Sequence, residues 1–438
     1  MDVVTYGWIA IHPFSREWSL HLPRTAPASL LARKQIKLKF GAWIKTLRVR
    51  RGRPDPGSIK TKIHINPKKN QVHAGPFIGI LTVAGGEIFR GVRSNFKEII
   101  EAGRSHGAFV YIIPIENIDW STLTVTGYIY DPIRSRWLKE ALPLPHVIYN
   151  RIPNREFEEQ RHVKQALGRL VQIKKANLYN PHFFDKRELF SILKRKPELL
   201  PFLPETLPLN SLAILKNLMS RYSVVYLKPY NGMAGKGIYR LEEKNMQYLL
   251  QYQEKQNTVR RWFNSLKEVW IFLKKNKNDD YLAQQGIELA TYNEKLFDIR
   301  LLAQKNGSGR WRITGIGIRL AGEGNITTHV PRGGSVQHPA KILPSAFPGK
   351  SEEEMLKNIR LFAINIAHAL QEQWSALGEI SMDIGIDKSG KIWFIESNAK
   401  PGKFDEPEIR SLSLKRTILY AQYLAGLRMP KGAKFSAD

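Results

Sequence analysis

Apolar and polar residues alternate with a period of two at three places near the start of the chain: 36–40, 47–50 and 60–65. The polar partners there are mostly Lys and Arg. This pattern predicts strands with one buried and one solvated face, and the turn-rich residues 51–57 fall between two of them. The pattern then changes. Residues 75–83 are a short apolar run of the sort a buried parallel strand needs, followed by a helical stretch at 95–105 and a second apolar run at 108–114. That is a βαβ rhythm, extended by strands at 123–130 and 146–150, with a boundary expected between 150 and 180. From about 180 onward helical and strand patterns alternate, and glycines collect in a few short clusters. The helix expected at 409–427 carries Leu412, Leu414, Ile418, Leu419, Tyr423 and Leu424 as a stripe that should pack on the last domain.

Length and charge sharpen this picture. The 438 residues suggest about three domains, and 42% apolar content is enough to give each a core. Sixty-eight Lys and Arg against 39 Asp and Glu leave a net charge of +29. Residues 33–69 hold thirteen basic residues and the single acid Asp55, so +12 of that total sits in one short segment. Such a surface favours polyanions or phosphorylated ligands. The chain has no cysteine, which excludes disulfides, thiolate nucleophiles and zinc–thiolate sites. No window approaches 18 apolar residues, and the first residues lack the basic and apolar stretches of a secretory signal. A cytoplasmic protein without a membrane span is therefore expected.

Candidate chemistry lies in three segments. Val224-Val225-Tyr226-Leu227-Lys228-Pro229 runs into a loop holding Gly232, Gly235, Lys236 and Gly237. A strand lysine and a glycine-rich loop can bring an ammonium and backbone N–H groups to phosphates, although an unliganded hairpin gives the same pattern. A hairpin turning at 306–309 places Asp298, Arg300 and Arg319 on one face, with Asp298 expected across from Gly317 and Arg319 across from Leu296. Two guanidiniums beside a carboxylate suit a phosphoryl clamp or an ordinary ion pair. A second hairpin, turning at 387–390, places Asp383, Glu396 and Asn398 on one face, with Asp383 expected opposite Phe394 and diagonal to Glu396. Ile380, Met382, Ile384, Ile386, Trp393 and Ile395 fall on the other face. Oxygen donors of the first set suit magnesium. Between the glycine-rich loop and the first hairpin, residues 279–289 read as a short strand able to offer backbone groups to an adenine edge.

The order of these elements over about residues 180–425 resembles the ATP-grasp superfamily. The phrases His146-Val147-Ile148-Tyr149-Asn150-Arg151-Ile152-Pro153, Gly378-Glu379 and Asn398-Ala399-Lys400-Pro401-Gly402-Lys403 resemble its YheC/YheD group, which is associated with the endospore coat of bacilli. The resemblance implies an α+β ATP-grasp fold of two α+β lobes, preceded by an α/β pre-grasp domain and a small β-rich basic N-terminal domain. The expected domains are 1–72, 73–178 and 179–438, with a nucleotide lobe at about 206–285 and a metal-binding lobe at about 286–425. It also implies ATP and Mg2+ as cofactors. Nucleotide contacts would come from Lys186, Lys228, the 232–237 loop, Gln284, Gln285, Gly286, Ile287 and Asp298. Asp383, Glu396 and Asn398 would hold metal, and Arg300, Arg319 and Arg332 would steady the reacting phosphate. Related ligases often carry Asn three positions before the Arg332-Gly333-Gly334 loop, where this chain has His329.

The activity so implied is ADP-forming ligation of a carboxylate to an amine through an acyl phosphate. Acceptor and amine donor are not legible, with peptides and polyanionic coat or envelope material as the classes to consider. The rival reading is a spore-coat structural or morphogenetic protein that binds ATP without turnover. Nucleic acid is disfavoured, because charge alone supports it and no recognised module is present.

Overall fold

The basic and apolar alternation of the first residues closes into a barrel. The computed structural model describes residues 5–68, 71–173, 177–230, 237–254, 257–276, 280–322 and 334–427. Within them Thr5–Ile11 (β1), Trp18–Leu22 (β2), Gln35–Phe40 (β3), Trp43–Arg51 (β4), Ile59–Lys68 (β5) and Gln71–Gly75 (β6) join in the order β1-β2-β4-β3-β6-β5. Ile36, Leu38, Phe40 and Leu47 point inward and are buried, while Lys37, Lys45, Arg48 and Arg50 are exposed. The barrel does not keep its core to itself. Trp18 and Phe40 pack on Phe77 and Phe109 of the next sheet, with ring centroids of Phe40 and Phe77 5.0 Å apart.

That next sheet contains Phe77–Thr82 (β7), Phe109–Pro114 (β8), Ile118–Asp119 (β9), Thr124–Asp131 (β10), Arg136–Pro143 (β11), Val147–Asn150 (β12) and Asn177–Tyr179 (β13). Its order is β11-β10-β8-β7-β12-β13, with β9 beside β10. The β8-β7-β12-β13 run is parallel, and the Arg93–Ser105 helix crosses between β7 and β8. Every residue of β7 and β8 is buried, as strands covered on both faces must be.

A third sheet has the order β14-β19-β15-β16-β17-β18, from Thr206–Pro208 (β14), Val224–Pro229 (β15), Tyr239–Lys244 (β16), Gln247–Glu254 (β17), Asn257–Phe263 (β18) and Tyr281–Gln285 (β19). The fourth has the order β23-β22-β21-β24-β25. Its strands are Lys295–Lys305 (β21), Trp311–Leu320 (β22), Ser335–Gln337 (β23), Glu379–Ile386 (β24) and Ile392–Asn398 (β25), with Thr291–Tyr292 (β20) beside β21. The Glu352–Gln373 helix packs on its core face, burying Ile359, Phe362, Ile366 and Leu370.

The C-terminal helix, Pro407–Leu424, reaches further than its stripe suggested. Its early turns lie on β21 and β22, but Ile418, Tyr420 and Ala421 join a cluster with Ile78 and Val147 of the second sheet and Phe96 of the Arg93–Ser105 helix. One helix therefore ties the second and fourth sheets together.

Asn180 makes a second tie. It follows β13 with φ +52, a left-handed conformation that Asn tolerates better than most residues. Its Oδ1 accepts from the backbone N–H groups of Gly378 (2.7 Å) and Glu379 (3.2 Å). Its Nδ2 donates to the carbonyls of Glu379 (2.9 Å) and Ala399. Asn180 is fully buried, so Asn180→Ala would leave these backbone groups unpaired away from water. The expected loss is about 3 kcal/mol or more in urea unfolding, and a loss within experimental error would show the tie to be dispensable.

Candidate functional site

The fourth sheet supplies one wall of a cleft. Asp298 and Arg300 stand two apart on β21 and so share a face. On β22, Arg319 lies opposite Asp298 and Gly317 opposite Arg300. On the other side, β24 sets Asp383 opposite Arg300, and β25 sets Glu396 opposite Asp383 and Asn398 opposite Ser381. The expected groupings onto one face therefore form, but through different partners.

The β21/β22 turn pairs Lys305 with Trp311, not Arg310, and an irregularity between Leu302 and Ala303 adds a second slip. Asp298 thus meets Arg319 in place of Gly317. Slips that total two leave the face unchanged, because side chains alternate with period two. In the β24/β25 hairpin a single slip near the turn pairs Ile384 with Phe394. Phe394 therefore enters the core, while Trp393 and Ile395, expected there, stay half-buried. A bulge between Asp383 and Ile384 then restores the carboxylate face and brings Glu396 directly across from Asp383.

The third sheet supplies the opposing wall. Lys228 Nζ on β15 donates to Gln284 Oε1 on β19 at 2.5 Å. Gln284 Nε2 donates in turn to Thr206 Oγ1 at 2.9 Å, and that hydroxyl donates to the Pro204 carbonyl. Nothing in the local pattern singles out Thr206 as the residue that orients Gln284. The strand end departs from expectation in another way. The N–H of Gln285 donates to the Glu205 carbonyl and that of Gly286 to the Val224 carbonyl, both at 2.8 Å, so these two amides are not available to a base edge. Gly286 is needed for this closeness, since a Cβ there would lie 2.6 Å from the Val224 oxygen. Ile287, Tyr226, Leu289 and Leu296 make that end of the cleft apolar. Gly237, with φ +71, accepts at its carbonyl from the Tyr281 hydroxyl at 2.9 Å.

Lys186 opens the Lys186–Lys194 helix, whose first turn is capped by Asp185 accepting from the N–H groups of Arg187 and Glu188. Its Nζ lies 3.7 Å from Glu396 Oε2. The cleft between the walls has a cavity volume of about 110 Å³ and is lined by Lys228 and Gln284 on one side and by Asp298, Arg319, Asp383 and Glu396 on the other. Gly232, Gly235, Lys236, His329 and Arg332 lie outside the described residues.

Charge is tightly arranged here. Arg319 is 3% exposed. Its Nε and one terminal nitrogen donate to Asp298 Oδ1 (2.8 Å) and Oδ2 (2.6 Å), and that terminal nitrogen also lies 2.8 Å from Asp383 Oδ2. Burial works against the guanidinium's charge, but Asp383 and Asp298 outweigh it and hold its pKa above the usual value. The Asp383 carboxyl is pushed up to about 6, first by burial and then by Glu396, against the pull of Arg319. The Lys228 ammonium is lowered to about 8 by burial and by Lys186. Arg300 lies over the Phe404 ring, 4.9 Å from its centre. The expected pair of guanidiniums is thus divided: Arg319 is engaged by carboxylates, and Arg300 stands at the rim. Among the described residues no three His, Cys, Asp or Glu gather around one point, and the expected metal set holds only two carboxylates beside the Asn398 amide.

The segment after Asn398 is anchored from the second sheet. Arg151 donates to the Pro401 carbonyl at 2.9 Å, Lys400 pairs with Glu158, and Lys403 lies 2.9 Å from Glu98. Buried Glu379 accepts from Tyr149, from Arg151 at 3.4 Å and from Gln304 at 3.0 Å. The 146–153, 378–379 and 398–403 phrases, far apart in sequence, therefore meet at one place.

Two outcomes follow from these charges. Arg319→Met leaves Asp298 and Asp383 buried without their cation, so urea unfolding should register a loss of about 3–5 kcal/mol; a loss below about 1 kcal/mol would show the bridge to be incidental. For Lys228, the unfolded chain holds a proton that the folded protein has released between about pH 8 and the usual lysine value of 10.5. Wild-type stability should therefore gain on that of Lys228→Met as pH rises through this window, by on the order of 2 kcal/mol in paired unfolding curves. A difference independent of pH would refute the lowered pKa.

The family match and the curated relatives agree on one family. Residues 175–424 match the YheC/D like ATP-grasp family. The endospore coat-associated protein YheD of Bacillus subtilis (strain 168) is 30% identical over 368 residues, covering 81% of this chain and 80% of that protein. YheC from the same organism is 23% identical over 328 residues, covering 74% of this chain and 90% of its own length. The VanG D-Ala:D-Ser ligase from Enterococcus faecalis aligns with a TM-score of 0.46 at 12% identity, over 81% of this chain and 99% of that one. By the family match over more than half its length and by its likeness to YheD, the chain belongs to the YheC/D-like ATP-grasp family.

Proposed function

We propose that the protein is an ATP- and Mg2+-dependent carboxylate–amine ligase that works through an acyl phosphate. The observation that carries this reading is a cleft with Lys228 on one wall and a rigid face bearing Asp298, Arg319, Asp383 and Glu396 on the other, with Lys186 3.7 Å from Glu396. Ammonium groups bordering a carboxylate face suit a polyphosphate lying against them, with its metal on the carboxylate side.

The residues fit a magnesium ion. Asp383 and Glu396 face each other, burial and then Glu396 push the Asp383 carboxyl up to about 6, a load that a divalent cation would relieve, and the Asn398 amide, donating to Glu396 at 3.3 Å, adds a neutral oxygen. Asp383, Glu396 and Asn398 would hold the ion, which when bound would neutralise phosphate charge. Arg319 serves as a positioning residue, fixing Asp298 and Asp383. Lys186 and Lys228 meet phosphate oxygens, and Arg300 at the rim steadies the transferring phosphoryl group. An acceptor carboxylate oxygen bonds to the γ-phosphorus as the bond to ADP breaks. An amine then bonds to the acyl carbon, phosphate leaves, and the amine gives up a proton. No side-chain nucleophile is required, so the work of the protein is positioning and charge stabilisation.

The proposed division of labour follows the expected domains: 179–438 for catalysis, 73–178 for anchoring the loop after Asn398, and 1–72, with its exposed basic strands, for docking to a polyanionic partner. The names of the relatives support association of this protein with the spore coat as well.

A coupled assay of ADP release against pooled amino acids and acidic peptides, with mass spectrometry of adducts, tests the reading. Turnover should require both an acceptor and an amine, and Glu396→Gln should lose it by roughly a hundredfold or more. A Glu396→Gln protein with full turnover would sink the metal assignment. Nucleotide-dependent thermal stabilisation without turnover on any pool would favour a structural coat protein that binds ATP.

A further inference from the structure

The fourth sheet ends in a strand that is only partly covered. β23 pairs with β22 solely through Ile318, Arg319 and Leu320. From Trp311 to Gly317, β22 has a neighbouring strand on its β21 side alone among the described residues. A stretch of this length runs roughly 20 Å and can offer a row of backbone donors and acceptors to an added strand; two of its carbonyls, those of Trp311 and Arg312, already accept from the Arg312 and Arg416 guanidiniums. Short edges are commonly left bare, but this one lies at the bottom of a groove with a cavity volume of about 850 Å³.

The groove is built between two helical layers. The consecutive residues Ile313, Thr314, Gly315 and Ile316 line its floor, as an edge seen end-on requires. Leu356 and Arg360 of the Glu352–Gln373 helix form one side. The start of the Pro407–Leu424 helix forms the other, coming close because Gly315 has no side chain: a Cβ there would lie 2.4 Å from Ile409.

Charge identifies the occupant. The rim at the start of that helix carries Asp405, Glu406 and Glu408, on a chain whose net charge is +29. Among the described residues none of the three forms an ion pair, and the nearby cations Lys403 and Arg410 are turned to Glu98 instead. The groove also leads to the cleft. Glu406 packs on Gly317, where a Cβ would meet its Oε1, and Gly317 is the cross-strand neighbour of Arg300.

We propose that this groove binds an extended, basic peptide segment as a strand added along the β22 edge between Trp311 and Gly317, with its lysine or arginine side chains directed at Asp405, Glu406 and Glu408. Backbone pairing supplies affinity, and alternate side chains supply selectivity. The identification of this segment as the amine donor, its ammonium delivered past Glu406 toward Arg300, rests on the ligase reading; the binding itself does not.

The test uses fluorescence anisotropy on the full chain with a labelled octapeptide of alternating Lys and Val. Three controls accompany it: the same peptide N-methylated at alternate residues, its Glu/Val counterpart, and the Asp405→Asn/Glu406→Gln/Glu408→Gln protein. The Lys/Val peptide should bind, and both N-methylation and the triple substitution should weaken it by about tenfold or more. The methylated probe reports on native protein and so does not depend on the variant folding. Absence of binding, affinity untouched by either change, or equal capture of the Glu/Val peptide would overturn the proposal. Capture without ADP release in the ligase assay would support the groove and count against the ligase reading, whereas turnover without capture would do the reverse.

Discussion

A guanidinium shared by two carboxylates governs the arrangement of the cleft. Arg319 sits where three strands run side by side and holds Asp298 on one neighbour and Asp383 on another strand, all three nearly sealed from solvent. Isolated charges in such a place would be costly, and the geometry makes each the remedy for the others. The result is a polar face that cannot relax by rotating one side chain, because each rotation strands a partner. Glu396 and Lys186, at the solvent side of this cluster, inherit its fixed position.

The hairpins show what was legible and why. Turn residues and alternation identified both ribbons and assigned Asp298, Arg300, Arg319, Asp383, Glu396 and Asn398 to a common side. The pairings themselves were wrong, because each ribbon contains an irregularity that no local pattern announces. Two slips cancelled for the face of Asp298. For Phe394 a single slip did not cancel, and an apolar residue assigned to the carboxylate side proved to be core. Thr206, Asn180 and the Glu379 cluster were illegible for a different reason. Each acts through partners distant in sequence, and a threonine, an asparagine or a glutamate carries no sign of which remote backbone it will meet.

The second sheet contributes to the cleft without lining it. Asn180, Arg151 and Glu158 hold the segment that continues β25, and the C-terminal helix spans both sheets. The carboxylate wall is thus braced from behind by a unit whose central strands, β7, β8 and β12, are wholly buried. Resemblance had singled out three short phrases without saying why they belong together; their convergence on Glu379 and Pro401 supplies the physical reason.

The stacked rings of Trp18, Phe40, Phe77 and Phe109 carry a consequence for how the cationic barrel can operate. A module hung on a slack tether sweeps a volume and samples many orientations, whereas a module welded through an oily seam has one bearing. Cargo gripped by the barrel would be offered to the rest of the molecule at a constant angle and reach. Excision would not liberate an independent cassette but would bare a greasy scar on what remains, so the barrel is best regarded as a fixed outrigger.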